Sequence, residues 1–259
     1  MLSRSGRRVS LTPAGVVLVE HTELILADLE RAQSALAASE SGLSGSVRLG
    51  AFPTALQTVV LPAMAAIRQT EPGLELTVTE VDPADVADLL RSGRLDLALI
   101  HEYDNVPSAL GSGIELEPLL DEAVYLASPD GPVVSAGALI RSHSESRWIL
   151  GNSGTLCHTM AVRSCQAQGF EPRVAHQVDD FATVLRLVAT GAGVALVPQL
   201  GAIEVLAGVV LTRLAVGRRT RIAYRQGSRS RPAFAAVAAQ MHRAVESFRE
   251  DPRAVGQRT

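Results

Sequence analysis

Two loops of this chain carry the side chains best suited to holding a small molecule. "GAFPTA", residues 50 to 55, leaves an apolar run and enters a helical one, so the free N–H groups near Thr54 and the Thr54 hydroxyl suit a carboxylate or another anion. "GNSGTL", residues 151 to 156, repeats that arrangement in the second half of the chain, with Asn152, Ser153 and Thr155 as donors. Taken singly, each is an ordinary helix cap. Their duplication in matching places makes a clamp for a small anion the sharper reading. His101 and Glu102 follow a strand end, where a histidine more readily walls a pocket than serves as a general base. Cys157 lies near a helix N-terminus, a position that favours a thiolate, so redox sensing stands beside inert packing as its reading. Cys165 lies further along the same helix, about 12 Å away at 1.5 Å per residue, beyond disulfide reach. The chain has no G-x-S-x-G, no P-loop, no H-E-x-x-H and no cysteine and histidine spacing fit for zinc. Neither a catalytic site, a metal nor a cofactor is expected.

The elements that must position these loops alternate in type. "SVRLGA" (46 to 51) reads as a strand, "TALQTVVLPAMAAIRQ" (54 to 69) as a helix, "LELTVTEV" (74 to 81) as a strand, "ADVADLLRSG" (84 to 93) as a helix and "LDLALI" (95 to 100) as a buried strand. That succession predicts a parallel sheet with helices on its faces. The pattern then restarts. "AVYLAS" (123 to 128) and "WIL" (148 to 150) are strands, 155 to 170 a helix and "RVAHQV" (173 to 178) a strand. Residues 179 to 191 are a helix and "GVALVP" (193 to 198) a buried strand, followed by strands at 209 to 214 and 221 to 225 and a last helix from Pro232 to about Arg249. Two such units in tandem predict two lobes with a crevice between them. Ligands in open sheets sit at the carboxyl ends of strands, which points to the loops after Gly50, Ile100, Leu150 and Val197.

Ahead of both units, Thr12 and Pro13 start a helix that runs to about Ser39. Leu11, Leu18, Ile25 and Ala32 recur every seven residues, and Leu29, Leu36 and Leu43 form a second series, an apolar stripe that seeks a partner helix in a second chain. "ESGLSG", residues 40 to 45, is a flexible joint. The 259 residues, 47% of them hydrophobic, suffice for a sizeable core, and no apolar run approaches the roughly 20 residues of a membrane span. No signal peptide is apparent, so the cytoplasm is the expected compartment. The net charge of −3 is uneven: three arginines and no acid precede Glu20, ten arginines face 24 acids over 20 to 212, and eleven face three beyond. Basic ends suit phosphate, although a solvated surface is the plainer reading of the C-terminal cluster.

"LSRSGRRVSLTPAG" (2 to 15) resembles the wing and linker-helix start of LysR-type transcriptional regulators. "SGSVRLGAFPTALQTVVLPAMAAIRQTEPGLEL" (44 to 76), "SGRLDLALI" (92 to 100) and "LVATGAGVALVPQL" (187 to 200) resemble segments of that family's effector-binding domain, in the family's order. The resemblance implies an α/β fold: a two-lobed effector domain of the periplasmic-binding-protein type II kind, preceded by a long linker helix and a remnant of the DNA-binding wing. The implied divisions are a wing over 1–11, a linker helix over 12–41, lobe I over 46–118 plus 227–250, and lobe II over 119–226. It further implies a small effector, an anion among the candidates, between the lobes. Phe52, Pro53 and Thr54 match the first-lobe cleft loop, His101 the end of the third strand, and Asn152, Ser153 and Thr155 the second-lobe loop, with Phe181 and Pro198 completing the wall. Arg4, Arg7 and Arg8 match the wing, which lies against DNA. Cys165 falls where peroxide-sensing members carry a cysteine, while Cys157 is offset by one residue from their pattern. The implied partners are a small-molecule effector, DNA and further copies of the chain in a homodimer or homotetramer, with no membrane. Because the family's recognition helix precedes the wing, a start at Met1 is expected to fall inside the DNA-binding domain, through truncation or a late start site. The alternative expectation is a stand-alone small-molecule-binding regulatory protein without specific DNA binding.

Overall fold

A computed structural model describes residues 1–6, 8–39, 43–107, 110–129, 138–204 and 206–249. Two strands, β1 (Leu2–Ser5) and β2 (Arg8–Leu11), pair antiparallel and lead into α1 (Pro13–Ser39). Thr12 caps that helix, its hydroxyl oxygen accepting from the Gly15 N–H at 3.1 Å, and Pro13 supplies the fixed φ of the first turn. Only Gly15, Ala27 and Ser34 of α1 are buried, and the series Leu18, Ile25, Leu29 and Leu36 stands exposed. The helix is moored by its other face. Glu30 receives Arg225 Nε at 2.6 Å and Arg231 Nη2 at 2.8 Å. Gly227 turns with φ +87° directly under it, so close that a Cβ there would lie 2.5 Å from the Ala27 carbonyl oxygen. The expected joint over 40 to 45 lies outside the described residues at 40–42; β3 (Gly45–Ala51) begins at its far end.

One mixed sheet of six strands runs through the molecule in the order β4-β3-β5-β10-β6-β9. β3, β4 (Leu74–Glu80) and β5 (Leu97–Tyr103) are parallel, linked by α2 (Pro53–Ala55), a π-helical turn over Leu56–Val60, α3 (Leu61–Thr70) and then α4 (Val86–Arg91). That parallel unit is the one read from residues 46 to 100, and the strands after it run differently. β6 (Ile114–Ser128) and β10 (Val210–Arg225) are each long and pair antiparallel along nearly their whole length. The sequence pattern splits β10 into two strands, 209 to 214 and 221 to 225, and begins β6 only at Ala123; the ladder instead runs on through Pro118 and Gly217, which pair with Arg221 and Ala123 beside register shifts between Thr220 and Arg221 and between Arg213 and Gly217.

Beyond β6, β7 (Arg147–Leu150) and β8 (Arg173–Gln177) pair parallel, with α5 (Leu156–Gln166), α6 (Phe181–Ala189) and β9 (Ala195–Pro198) around them. Each half has its own core. Val47, Leu49, Val59 and Leu97 pack with Phe234, Val237 and Met241 of α7 (Pro232–Arg249) in one. Trp148, Leu150, Met160 and Leu196 pack in the other. The two lobes are therefore joined by β6 and β10, which cross from one core to the other. Among the described residues no helix is long and apolar enough to cross a membrane.

Candidate functional site

A cavity of about 250 Å³ opens where the two lobes face each other. Lobe I contributes Phe52, Pro53 and Thr54 from the turn after β3, Glu80, Val81 and Asp82 from the end of β4, and His101 from β5. The facing wall holds Thr155 and Cys157 at the start of α5 and Asp179 and Phe181 at the start of α6, with Arg218 of β10 at the base. Local sequence explains these turns. Phe52 precedes a proline and is extended, at φ −76° and ψ 155°, so the chain leaves β3 straight and coils only from Pro53. Thr155 caps α5 by accepting from the His158 N–H at 3.2 Å, and Asp180 caps α6 by accepting from the Thr183 N–H at 2.9 Å.

A buried ion pair forms the base. Arg218 Nε lies 2.7 Å from Glu122 Oε1 and Arg218 Nη2 lies 3.0 Å from Oε2, with both side chains sealed from solvent. The carboxylate also accepts from the Thr220 hydroxyl at 3.1 Å and the Leu200 N–H at 2.9 Å. Burial works against the Arg218 charge, but Glu122 more than offsets it, so its pKa sits above the usual guanidinium value. Arg218 also donates to the Thr54 hydroxyl at 3.3 Å and stacks 5.1 Å from the centre of the Phe52 ring.

His101 stands apart. It is 5% exposed, and neither ring nitrogen has a hydrogen-bond partner among the described residues. Its ring meets Phe52 and Tyr103 edge-on, with centroids 4.5 and 5.4 Å away. Burial, and then the neighbouring Arg218 charge, push its pKa well below 6.5, so it is neutral at pH 7 and offers one donor and one acceptor. A buried imidazole whose nitrogens find no partner calls for an explanation, such as an ordered water or a bound group.

Cys157 packs at the cavity wall as a half-buried thiol. Its Sγ lies 3.2 Å from the Tyr103 hydroxyl, and burial raises its pKa despite the nearby helix start and Arg218, so the thiol form is favoured over the thiolate. Cys165 is buried in the core and pushed up to about 12, by burial and then by the Glu171 charge. Both cysteines are free.

Of the residues singled out by sequence, Phe52, Pro53, Thr54, His101, Thr155 and Phe181 line the cavity. Asn152 and Ser153 turn to their own lobe: the Asn152 N–H and amide donate to the Asp179 carboxylate, the former at 2.7 Å, and Ser153 Oγ accepts from Gln177 at 3.2 Å. Pro198 is buried in β9, opposite Val124. Arg4 Nε donates to the Gly6 carbonyl at 3.3 Å beside the β1–β2 turn, Arg8 is a strand residue of β2, and Arg7 lies outside the described residues. Sequence reasoning missed Arg218, Glu122 and Asp179. The available signal was charge inside otherwise apolar strands, Glu122 before "AVYLAS" and Arg218 before "RIAY". Among the described residues no group of three or more histidine, cysteine, aspartate or glutamate side chains is placed to hold a metal ion.

A family model described as the LysR substrate binding domain matches residues 40–246. A probable hydrogen peroxide-inducible genes activator of Mycobacterium avium is 31% identical over 202 residues, which cover 77% of this chain and 63% of the relative, so the chain spans less than two thirds of that protein's length. A probable hydrogen peroxide-inducible genes activator of Streptomyces viridosporus is 30% identical over 258 residues, covering 96% of this chain and 81% of the relative. Among solved structures, an OxyR mutant of Corynebacterium glutamicum superposes with a TM-score of 0.67 at 23% identity, covering 98% of this chain and 80% of that one.

Proposed function

The chain belongs to the LysR family of transcriptional regulators, and from that membership we propose that its interlobe cavity binds a small-molecule effector whose occupancy controls regulation of transcription. The observation that carries this reading is His101, an unpartnered buried imidazole on the wall of a cavity to which both lobes contribute. On this reading the cavity binds and releases its ligand unchanged, and the protein works in the cytoplasm. The β1–β2 hairpin with Arg4, Arg7 and Arg8 lies against DNA phosphates, and the exposed leucine and isoleucine face of α1 pairs copies into a homodimer or homotetramer.

The mechanism follows from the hinge. An effector that contacts both lobes binds one degree of closure better than another, and that difference in affinity is the free energy available for switching. β10 carries Arg218 in the cavity and, seven positions on, Arg225 against Glu30 of α1. At roughly 3.3 Å per residue those groups lie about 23 Å apart on one strand, so a change of hinge angle is delivered to the mooring of the linker helix.

A metabolite library screened by thermal shift tests the proposal, with the protein and a His101→Leu variant in parallel. A true effector at a hundred times its Kd adds about 2.7 kcal/mol, hence roughly 5–10 °C in Tm, and loses at least tenfold in affinity in the variant. Ligands that stabilise both proteins equally bind elsewhere and defeat the reading.

A further inference from the structure

We infer that the effector of this cleft is a compact organic cation, an ammonium group on an apolar body, and not a carboxylate. The inference rests on the reading of the cavity as an effector site and adds the chemical class of its occupant.

Charge decides the sign. Glu80, Asp82 and Asp179 all line the cavity, and none of them forms an ion pair among the described residues. The one lining arginine, Arg218, is spent on Glu122 through two short hydrogen bonds. An adjoining cavity of about 270 Å³, which shares Pro53, Thr54, Asp179 and Phe181 with the first, adds Asp180 and Glu204 against Arg186. A ligand entering from either side meets an excess of negative charge.

Half of the donors that an anion would need are also taken. At the second-lobe loop, where the sequence suggested half of an anion clamp, the Asn152 N–H and side-chain amide already hold the Asp179 carboxylate. The Thr155 hydroxyl donates to the Asn152 carbonyl at 2.9 Å and accepts from His158, which uses both of its functions. Gly151 belongs to the same arrangement: a Cβ there would stand 2.9 Å from Asp179 Oδ1, so the glycine admits this internal carboxylate. An anionic ligand would have to displace Asp179 or lie against it. A cation would instead find a carboxylate fixed by two donors with its remaining lone pairs free.

The deep end fits the same occupant. Neutral His101 adds no positive charge to the wall, and Phe52, Val81, Leu156 and Phe181 supply apolar surfaces.

Three probes of matched shape test this: benzylammonium, benzyl alcohol and benzoate, each titrated into the full chain labelled with 15N-histidine, with Kd taken from the His101 ring signals. Benzylammonium is expected to bind at least tenfold more tightly than benzoate, with the alcohol between them. The preference should fall below about threefold in Asp179→Asn. It should also fall in the double variant Glu80→Gln/Asp82→Asn, whose exposed positions leave the fold undisturbed. Benzoate binding as well as or better than benzylammonium overturns the charge inference and leaves the cleft reading standing, as does a preference unchanged in both variants. Failure of all three probes to move the His101 signals overturns the inference, while the cleft reading stands or falls with the library screen and its His101→Leu control.

Discussion

Removing Glu122 while keeping Arg218 should be among the most damaging single changes available to this protein. Its carboxylate accepts four hydrogen bonds, from Arg218 Nε and Nη2, the Thr220 hydroxyl and the Leu200 N–H, and both members of the ion pair are sealed from water. Glu122→Ala leaves a buried guanidinium without a counter-charge, which costs about 3–5 kcal/mol, and Arg218→Met leaves a buried carboxylate at a similar cost. The double variant Glu122→Leu/Arg218→Met buries no charge; its main loss is the Thr220 hydroxyl and Leu200 N–H left without their acceptor, at about 1–3 kcal/mol each. The double change should therefore cost no more than either single one, giving a coupling energy of about 3 kcal/mol or more. With a urea slope of roughly 2–3 kcal/mol/M, a loss of 4 kcal/mol moves the unfolding midpoint by about 1.5–2 M. Trp148, the only tryptophan and fully buried, reports the transition by fluorescence. The effect should persist in 1 M salt, because a buried pair is poorly screened. Single variants costing under about 1 kcal/mol, or costs that simply add in the double variant, would refute the reasoning.

Two further outcomes are expected. Burial alone would raise the Asp96 pKa, but hydrogen bonds and charge from Arg48, then Arg225, pull it below 3.8. A folded pKa beneath the unfolded one gives stability that is complete above the usual aspartate range and lost as pH falls through the folded value, so Asp96→Asn should destabilise at pH 7 and progressively less below about pH 4. A wild-type-to-variant gap in urea midpoint that stays constant from pH 7 to pH 2 would contradict this. On α1, Ile25 is 61% and Leu29 55% exposed, so Ile25→Glu/Leu29→Glu should leave the circular dichroism spectrum unchanged while light scattering reads a smaller assembly. An unchanged mass would remove α1 as the pairing surface.

What was legible in the sequence was whatever is written locally. The Thr12-Pro13 start of α1, the Phe52-Pro53 exit from β3 and the Thr155 cap each depend on neighbours within four residues, and each element begins where those residues direct. Alternation of apolar runs placed most strands, but not the two that matter most. Pro118 in β6 and Gly217 in β10 look like strand breakers, yet each stays paired beside a register shift, with a partner about a hundred residues away. The site divides along the same line. Thr54 just after β3 and His101 near the carboxyl end of β5 are visible because topology alone puts those strand ends at a crevice.

Charge pairing is the harder part, since it joins positions with no sequence relation. Glu122 meets Arg218 because their strands are neighbours in one sheet, and Asp179 meets Asn152 because β7 and β8 lie side by side. That second meeting changes the chemistry of the cleft. Read alone, "GNSGTL" offers donors to a visiting anion; folded, the donors of Asn152 hold the chain's own carboxylate, and what the loop presents to a ligand is negative charge. A local motif states which groups are available, and only the fold states which are already in use. The polarity of a binding site is therefore set by the pairs that close within the protein before any ligand arrives.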